Sequence, residues 1–279
     1  MHLRLTFLLL LFGLGHLHAQ TAQDTIPRVL VYKKADTLNL TLRVFKPAAF
    51  DATQKYPAIV FFFGGGWVGG NIGQFQKQAI YLASRGMVAI LADYRVQSRH
   101  HTTPFEAVAD GKSAIRYLRT HAGDLGIDPD RIVAAGGSAG GHVAAATDLT
   151  KLDEPIENAA VSSRPNALVL FNPVFNNGPG EYGYDRVGTR YTEISPYHNI
   201  RKGAAPTLIM LGTKDKLVSV ATADAYKVKL TEAGSRCELL LYPEQPHSFF
   251  NRGEWFTKTL RDTDIFLKSL RYIKGEPTL

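Results

Sequence analysis

Sulfur is scarce in this 279-residue chain: one cysteine, Cys237, and three methionines. A single thiol excludes an intrachain disulfide and any zinc site built from cysteines. It sits in the apolar run "RCELLLYP", which reads as packed core. No block of Lys and Arg is interleaved with aromatics, so nucleic-acid binding is not expected. The formal charge of +7 reads as a solvated basic surface, or as mild attraction for anionic substrates such as acidic polysaccharides. There is no internal repeat and no low-complexity tract. Against these absences, 45% of the residues are hydrophobic and 20% charged, as in an ordinary globular protein able to bury one sizeable core.

The first twenty residues, "MHLRLTFLLLLFGLGHLHAQ", combine Arg4, an apolar stretch from Leu5 to Leu14, and Ala19 before Gln20. That is the pattern of a signal peptide over residues 1–19, and too short for a comfortable membrane span. Leu17 fits the small-x-small cleavage pattern poorly, so cleavage after Ala22 stays open, and a retained anchor is the competing reading. The expectation is a periplasmic or secreted bacterial protein with no stable membrane association after cleavage. A single domain then occupies residues 20–279.

"RVLVYKKADTLNLTLRVFKP" alternates apolar and polar residues about a turn near Ala35–Asp36, predicting an antiparallel hairpin. Beyond it the period changes. "YPAIVFFF", "MVAILADYR", "RIVAAGG", "NALVLFNPVF", "TLIMLG" and "CELLLYP" read as buried strands, with helical segments between most of them. This predicts an α/β fold: a mostly parallel central sheet, an antiparallel N-terminal hairpin and helices on both faces. The Gly-, Asn- and Tyr-rich stretch near 174–200 is long for a connection and reads as a small lid-like insertion.

"AAGGSAGGHVAA" places Ser138 in Gly136-x-Ser138-x-Gly140, between a strand and a helix. A turn this sharp brings strand and helix so close that side chains two residues on either side must vanish. Serine needs a general base, and the base an orienting acid. Six histidines lie beyond residue 20. His142 follows the turn on its helix and reads as packing or solvated. His121 suits a helix C-terminus. The His100–His101 pair is too small a ligand set for a metal site. His247, in "PEQPHSFF" just past a strand, is the candidate base, and Asp215, just past "TLIMLG", the candidate acid. The order Ser138, Asp215, His247 is that of the α/β-hydrolase sheet. "FFFGGGWVGG" supplies Gly65 and Gly66, whose amides, with that of Ala139, are candidate oxyanion donors. A dinucleotide reading competes, since Gly64-x-Gly66-x-x-Gly69 follows a strand and Asp93 ends the next. Trp67 obstructs it, Gly70 and Gly73 delay the helix it needs, and it leaves Ser138, Asp215 and His247 without a role.

"FFFGGGW", "ADYR", "GIDPDRIVAAGGSAGGHVAA", "LGTKDKLV" and "QPHSFF" resemble the α/β-hydrolase esterases of the hormone-sensitive-lipase-like bacterial family, and within it exported acetyl-esterase types. The resemblance runs from about Pro57 to the C-terminus. It implies Ser138 as nucleophile, Asp215 as acid, His247 as base, and Gly65, Gly66 and Ala139 as oxyanion donors. It implies no metal or organic cofactor, and a short acyl group, acetyl above all, on a small-molecule or oligosaccharide alcohol. Amide or formamide hydrolysis on the same triad, and a non-catalytic binding protein on a hydrolase scaffold, are the alternatives. Phe63 stands where the family has histidine, Gly137 where it often has aspartate, and a long helical cap is missing. The cap is therefore minimal, with the 174–200 stretch as its replacement. Oligomeric state is not legible.

Overall fold

The computed structural model describes residues 26–35, 37–154 and 158–279. The leader expected over residues 1–19 and the turn residue Asp36 lie outside them.

Eight strands form one sheet among the described residues: β1 (Arg28–Ala35), β2 (Leu38–Phe45), β3 (Tyr56–Phe62), β4 (Val88–Ala92), β5 (Ile127–Gly137), β6 (Ala167–Phe171), β7 (Thr207–Gly212) and β8 (Cys237–Tyr242). Their order is β1-β2-β4-β3-β5-β6-β7-β8. β1 and β2 pair antiparallel, as do β2 and β4. From β4 to β8 every pairing is parallel. The helices are α1 (Gln76–Ser84), α2 (Gln97–His100), α3 (Pro104–Thr120), α4 (Ala122–Leu125), α5 (Ala139–Leu149), α6 (Tyr184–Val187), α7 (Val220–Glu232) and α8 (Gly253–Ser269).

The pleat explains the two-sided core. In β3, Val60 and Phe62 point into one cluster with Ala114 and Ile115 of α3, Val143 of α5 and Tyr226 of α7. Ile59 and Phe61 point into the other, with Leu82 of α1 and Leu260 and Phe266 of α8. Central strands buried on both faces need unbroken apolar runs, and β4, β6 and β7 are buried throughout. β8 lies at the sheet edge, which leaves Cys237 only partly buried against the core. Burial still pushes its thiol up to about 12.

α3 begins with a capping box: Thr103 accepts from the Phe105 amide, Glu106 accepts from the Thr103 amide, and Pro104 opens the helix. Asp110 of α3 takes Lys33 of β1 at 2.8 Å and Arg95, from the loop after β4, at 2.7 Å, which pins the hairpin to the helix layer. His121 caps α3, its ring stacked on Tyr117.

Candidate active site

β5, β7 and β8 run parallel, and their C-terminal ends deliver Ser138, Asp215 and His247 to one edge of the sheet. Ser138 sits between β5 and α5 at φ 54° and ψ −121°, a backbone conformation that costs about 1–3 kcal/mol and persists only where surroundings enforce it. The enforcement is visible. The Ser138 amide donates to the Phe171 carbonyl of β6 at 3.0 Å, and its carbonyl accepts from Val174 at 3.2 Å. A Cβ on Gly136 would stand 2.4 Å from the Gly140 carbonyl oxygen. A Cβ on Gly137 would stand 2.7 Å from the Phe250 ring and 3.2 Å from that of Phe75, so an aspartate there would require these packed rings to shift.

The Ser138 hydroxyl lies 2.9 Å from His247 Nε2. Nδ1 of the same ring lies 2.7 Å from Asp215 Oδ2. The other Asp215 oxygen accepts from the amides of Leu217 at 2.8 Å and Val218 at 3.1 Å. Its carboxylate is fully buried, so both oxygens are fixed and one is left to orient the imidazole. The three residues predicted from sequence are therefore brought together in predicted order.

Gly65 and Gly66 lie on the loop after β3, both with positive φ, at 136° and 64°. Their amides and that of Ala139 find no acceptor among the described residues. The loop has anchors that sequence reading missed. Tyr94 donates to the Phe63 carbonyl at 2.5 Å, Gln74 accepts from the Gly64 amide at 2.6 Å, and Arg186 donates to the Gly66 carbonyl at 2.6 Å. Phe63 itself stacks on Tyr94, with ring centroids 4.2 Å apart, in place of a polar anchor. A Cβ on Gly66 would come within 2.7 Å of the Arg186 guanidinium. The dinucleotide reading loses its ribose partner, because Asp93 is paired with Arg99 at 2.8 Å.

Arg186 belongs to the 174–200 stretch, which is folded onto the site. It contains α6 and two short 3-10 turns, and Phe175 stacks on Tyr226 of α7 at 4.4 Å. Tyr182 packs against Trp67 and Arg186 lies over the Tyr182 ring, beside a cavity of about 240 Å³ lined by Gly66, Trp67, Val68 and Pro104.

Under that loop lies His142, fully buried, edge-on to Trp67 at 5.0 Å, with neither ring nitrogen completing a hydrogen bond among the described residues. It packs rather than meeting solvent. Burial pushes its pKa down to about 4, with the nearby Asn177 side chain and Ile194 backbone opposing the shift. Between pH 6.5 and 4 the unfolded chain therefore binds a proton that the folded chain refuses, and stability falls as pH drops. Urea unfolding should show His142→Phe losing about 2–3 kcal/mol less than wild type between pH 7.5 and 4.5. Parallel loss in both proteins would remove His142 from acid sensitivity.

The BD-FAE family model matches residues 42–171. A curated relative from Schizosaccharomyces pombe, an AB hydrolase superfamily protein, is 30% identical over 81% of this chain and 72% of its own length. The acetylxylan esterase of Xylanibacter ruminicola is 28% identical over 76% of this chain and 45% of its own. The chain thus spans about half the length of some curated relatives it matches. Among solved structures, apo Thermogutta terrifontis esterase 2 superposes with a TM-score of 0.87 at 44% identity, covering 91% of this chain and 98% of that one.

Proposed function

The chain belongs to the α/β-hydrolase esterases, and from that membership we propose a serine hydrolase that cleaves short-acyl carboxylic esters through Ser138, His247 and Asp215. The observation that carries the reading is the unbroken run of contacts from Asp215 through the imidazole to the Ser138 hydroxyl, 2.7 Å and then 2.9 Å.

His247 takes the Ser138 proton on Nε2 as the oxygen attacks the ester carbonyl. The carbonyl oxygen becomes an alkoxide, stabilised by the amides of Gly65, Gly66 and Ala139, which find no acceptor among the described residues and so are free to donate to it. The N-terminus of α5 adds a favourable dipole. The tetrahedral species collapses, the C–O bond to the alcohol breaks, and the proton on Nε2 passes to the departing oxygen. Water then repeats the sequence on the acyl-enzyme: His247 deprotonates it, the acid leaves, and Ser138 regains its proton. Asp215 keeps its charge throughout and stabilises the imidazolium.

Acyl length is argued from the relatives. The Thermogutta esterase has been solved with propionate and with butyrate bound, and the Xylanibacter relative is an acetylxylan esterase. Acetyl esters, including those of carbohydrates, are the proposed substrates, reached outside the cytoplasm if the leader pattern acts as one. The test is a series of p-nitrophenyl esters from acetate to decanoate beside acetylated xylo-oligosaccharides. kcat/KM should peak between acetate and butyrate and fall about tenfold or more by octanoate. A maximum at octanoate or beyond would refute the short-acyl assignment.

A further inference from the structure

The His247 ring meets one more side chain, which the proposed mechanism leaves unused. Asn172 follows β6 and is fully buried. Its amide nitrogen lies 3.3 Å from His247 Nε2. Its Oδ1 accepts from the Ser248 amide at 3.1 Å. The second bond settles how the carboxamide is turned. A backbone N–H only donates, so the oxygen faces Ser248 and the NH₂ faces the ring. An NH₂ group also only donates, so the Nε2 it faces is the unprotonated nitrogen, whose one lone pair it shares, as the longer contact, with the Ser138 hydroxyl at 2.9 Å. The ring proton is then on Nδ1, where the Asp215 carboxylate accepts it. Two side chains on opposite edges of the imidazole thus select the same tautomer.

The backbone holds Asn172 where it can do this. Its φ is 35°, on the left-handed side that asparagine tolerates better than most residues. Its own amide donates to Met210 of β7 at 2.7 Å. β6 lies between β5 and β7, so its end stands beside both the serine turn and the Asp215 turn.

We infer that Asn172 is a positioning residue for His247, selecting the tautomer with a free Nε2 and fixing the ring plane toward Ser138. The inference rests on His247 being the general base. It has a chemical consequence. Once Nε2 takes the Ser138 proton, two donors face each other across 3.3 Å, and the imidazolium gains nothing from Asn172. The proton is the more readily passed to the leaving oxygen. Among the described residues, the groups bonded to the ring are Asp215 from the β7 end, Ser138 from the β5 end and Asn172 from the β6 end, and of these only Asp215 is charged.

The test is the pH profile of kcat/KM on p-nitrophenyl acetate for wild type, Asn172→Asp and Asn172→Gly. A carboxylate at 172 accepts from a protonated Nε2, so the acid limb should move up by about one pH unit or more. Glycine suits the φ at 172 and removes the donor. It should move the limb up by less and cut kcat about tenfold, with KM within about twofold. A purely structural role would lower Tm and leave the limb in place, and that result overturns the inference. Nitrogen-15 chemical shifts of His247 in the wild-type protein test it without any variant: an Nε2–H tautomer at neutral pH also overturns it. Ser138→Ala examines the parent reading separately. An inactive Ser138→Ala with unmoved acid limbs at 172 removes only the role of Asn172.

Discussion

Ser138→Ala is expected to lower kcat/KM on p-nitrophenyl acetate by about 10⁴-fold or more, with the unfolding midpoint little changed. The two halves of that result have separate causes. Alanine keeps the Cβ, so the φ of 54° and the crossing of β5 with α5 are met as in wild type. What is lost is one oxygen, whose hydrogen-bond partner is His247 Nε2 at 2.9 Å. That nitrogen keeps the Asn172 amide as a donor, so no buried polar group is stranded. The proposed chemistry loses its nucleophile, while the proposed oxyanion donors, the amides of Gly65, Gly66 and Ala139, remain to polarise a bound carbonyl. Residual hydrolysis should come from water attacking there. Equal rates for the two proteins would remove Ser138 from the mechanism, and with it the proposed function.

The sequence made the candidate triad more legible than its supports. Ser138, Asp215 and His247 could be found because each follows an apolar run that stops abruptly, and a parallel sheet collects such ends at one edge. Period-two alternation gave away the hairpin for a similar reason, since one face of it meets water. What stayed hidden depends on topology. Arg186 reaches the Gly66 carbonyl across 120 residues, and periodicity reports burial, not the partner. Asn172 follows a buried strand and precedes Pro173; its position is visible, but its contact with His247 requires knowing that β6 lies beside β5 and β7. That β4 inserts between β2 and β3 is also silent in the pattern of hydrophobicity. β5 starts at Ile127, four residues before the run "RIVAAGG", a start the sequence hides because Pro129 and the two aspartates beside it interrupt the apolar pattern that marks a strand.

Gly140→Ala should be the most destabilising single methyl group in the site, at about 3–5 kcal/mol. The added Cβ would stand 2.1 Å from the Phe62 carbonyl oxygen and 2.4 Å from that of Phe63. Both contacts are backbone atoms at the end of β3, so no side chain can swing aside. Phe62 pairs with Ala92 of β4 and Gly136 of β5, which ties the strand end down from both sides. Relief must come by moving α5 away from the sheet or by pushing the end of β3 outward. The first displaces Ser138 and the Ala139 amide, and the second displaces Gly65 and Gly66. Activity per folded molecule should therefore fall together with the urea midpoint. Gly123→Ala is the matching control, because a Cβ there meets nothing within 4 Å and the residue lies within helix α4. It should be neutral or stabilising by up to about 1 kcal/mol, through reduced freedom of the unfolded chain. Equal midpoints for Gly140→Ala and wild type would mean that the crossing is loose. The glycines that bracket Ser138 would then need another explanation than the closeness of strand and helix.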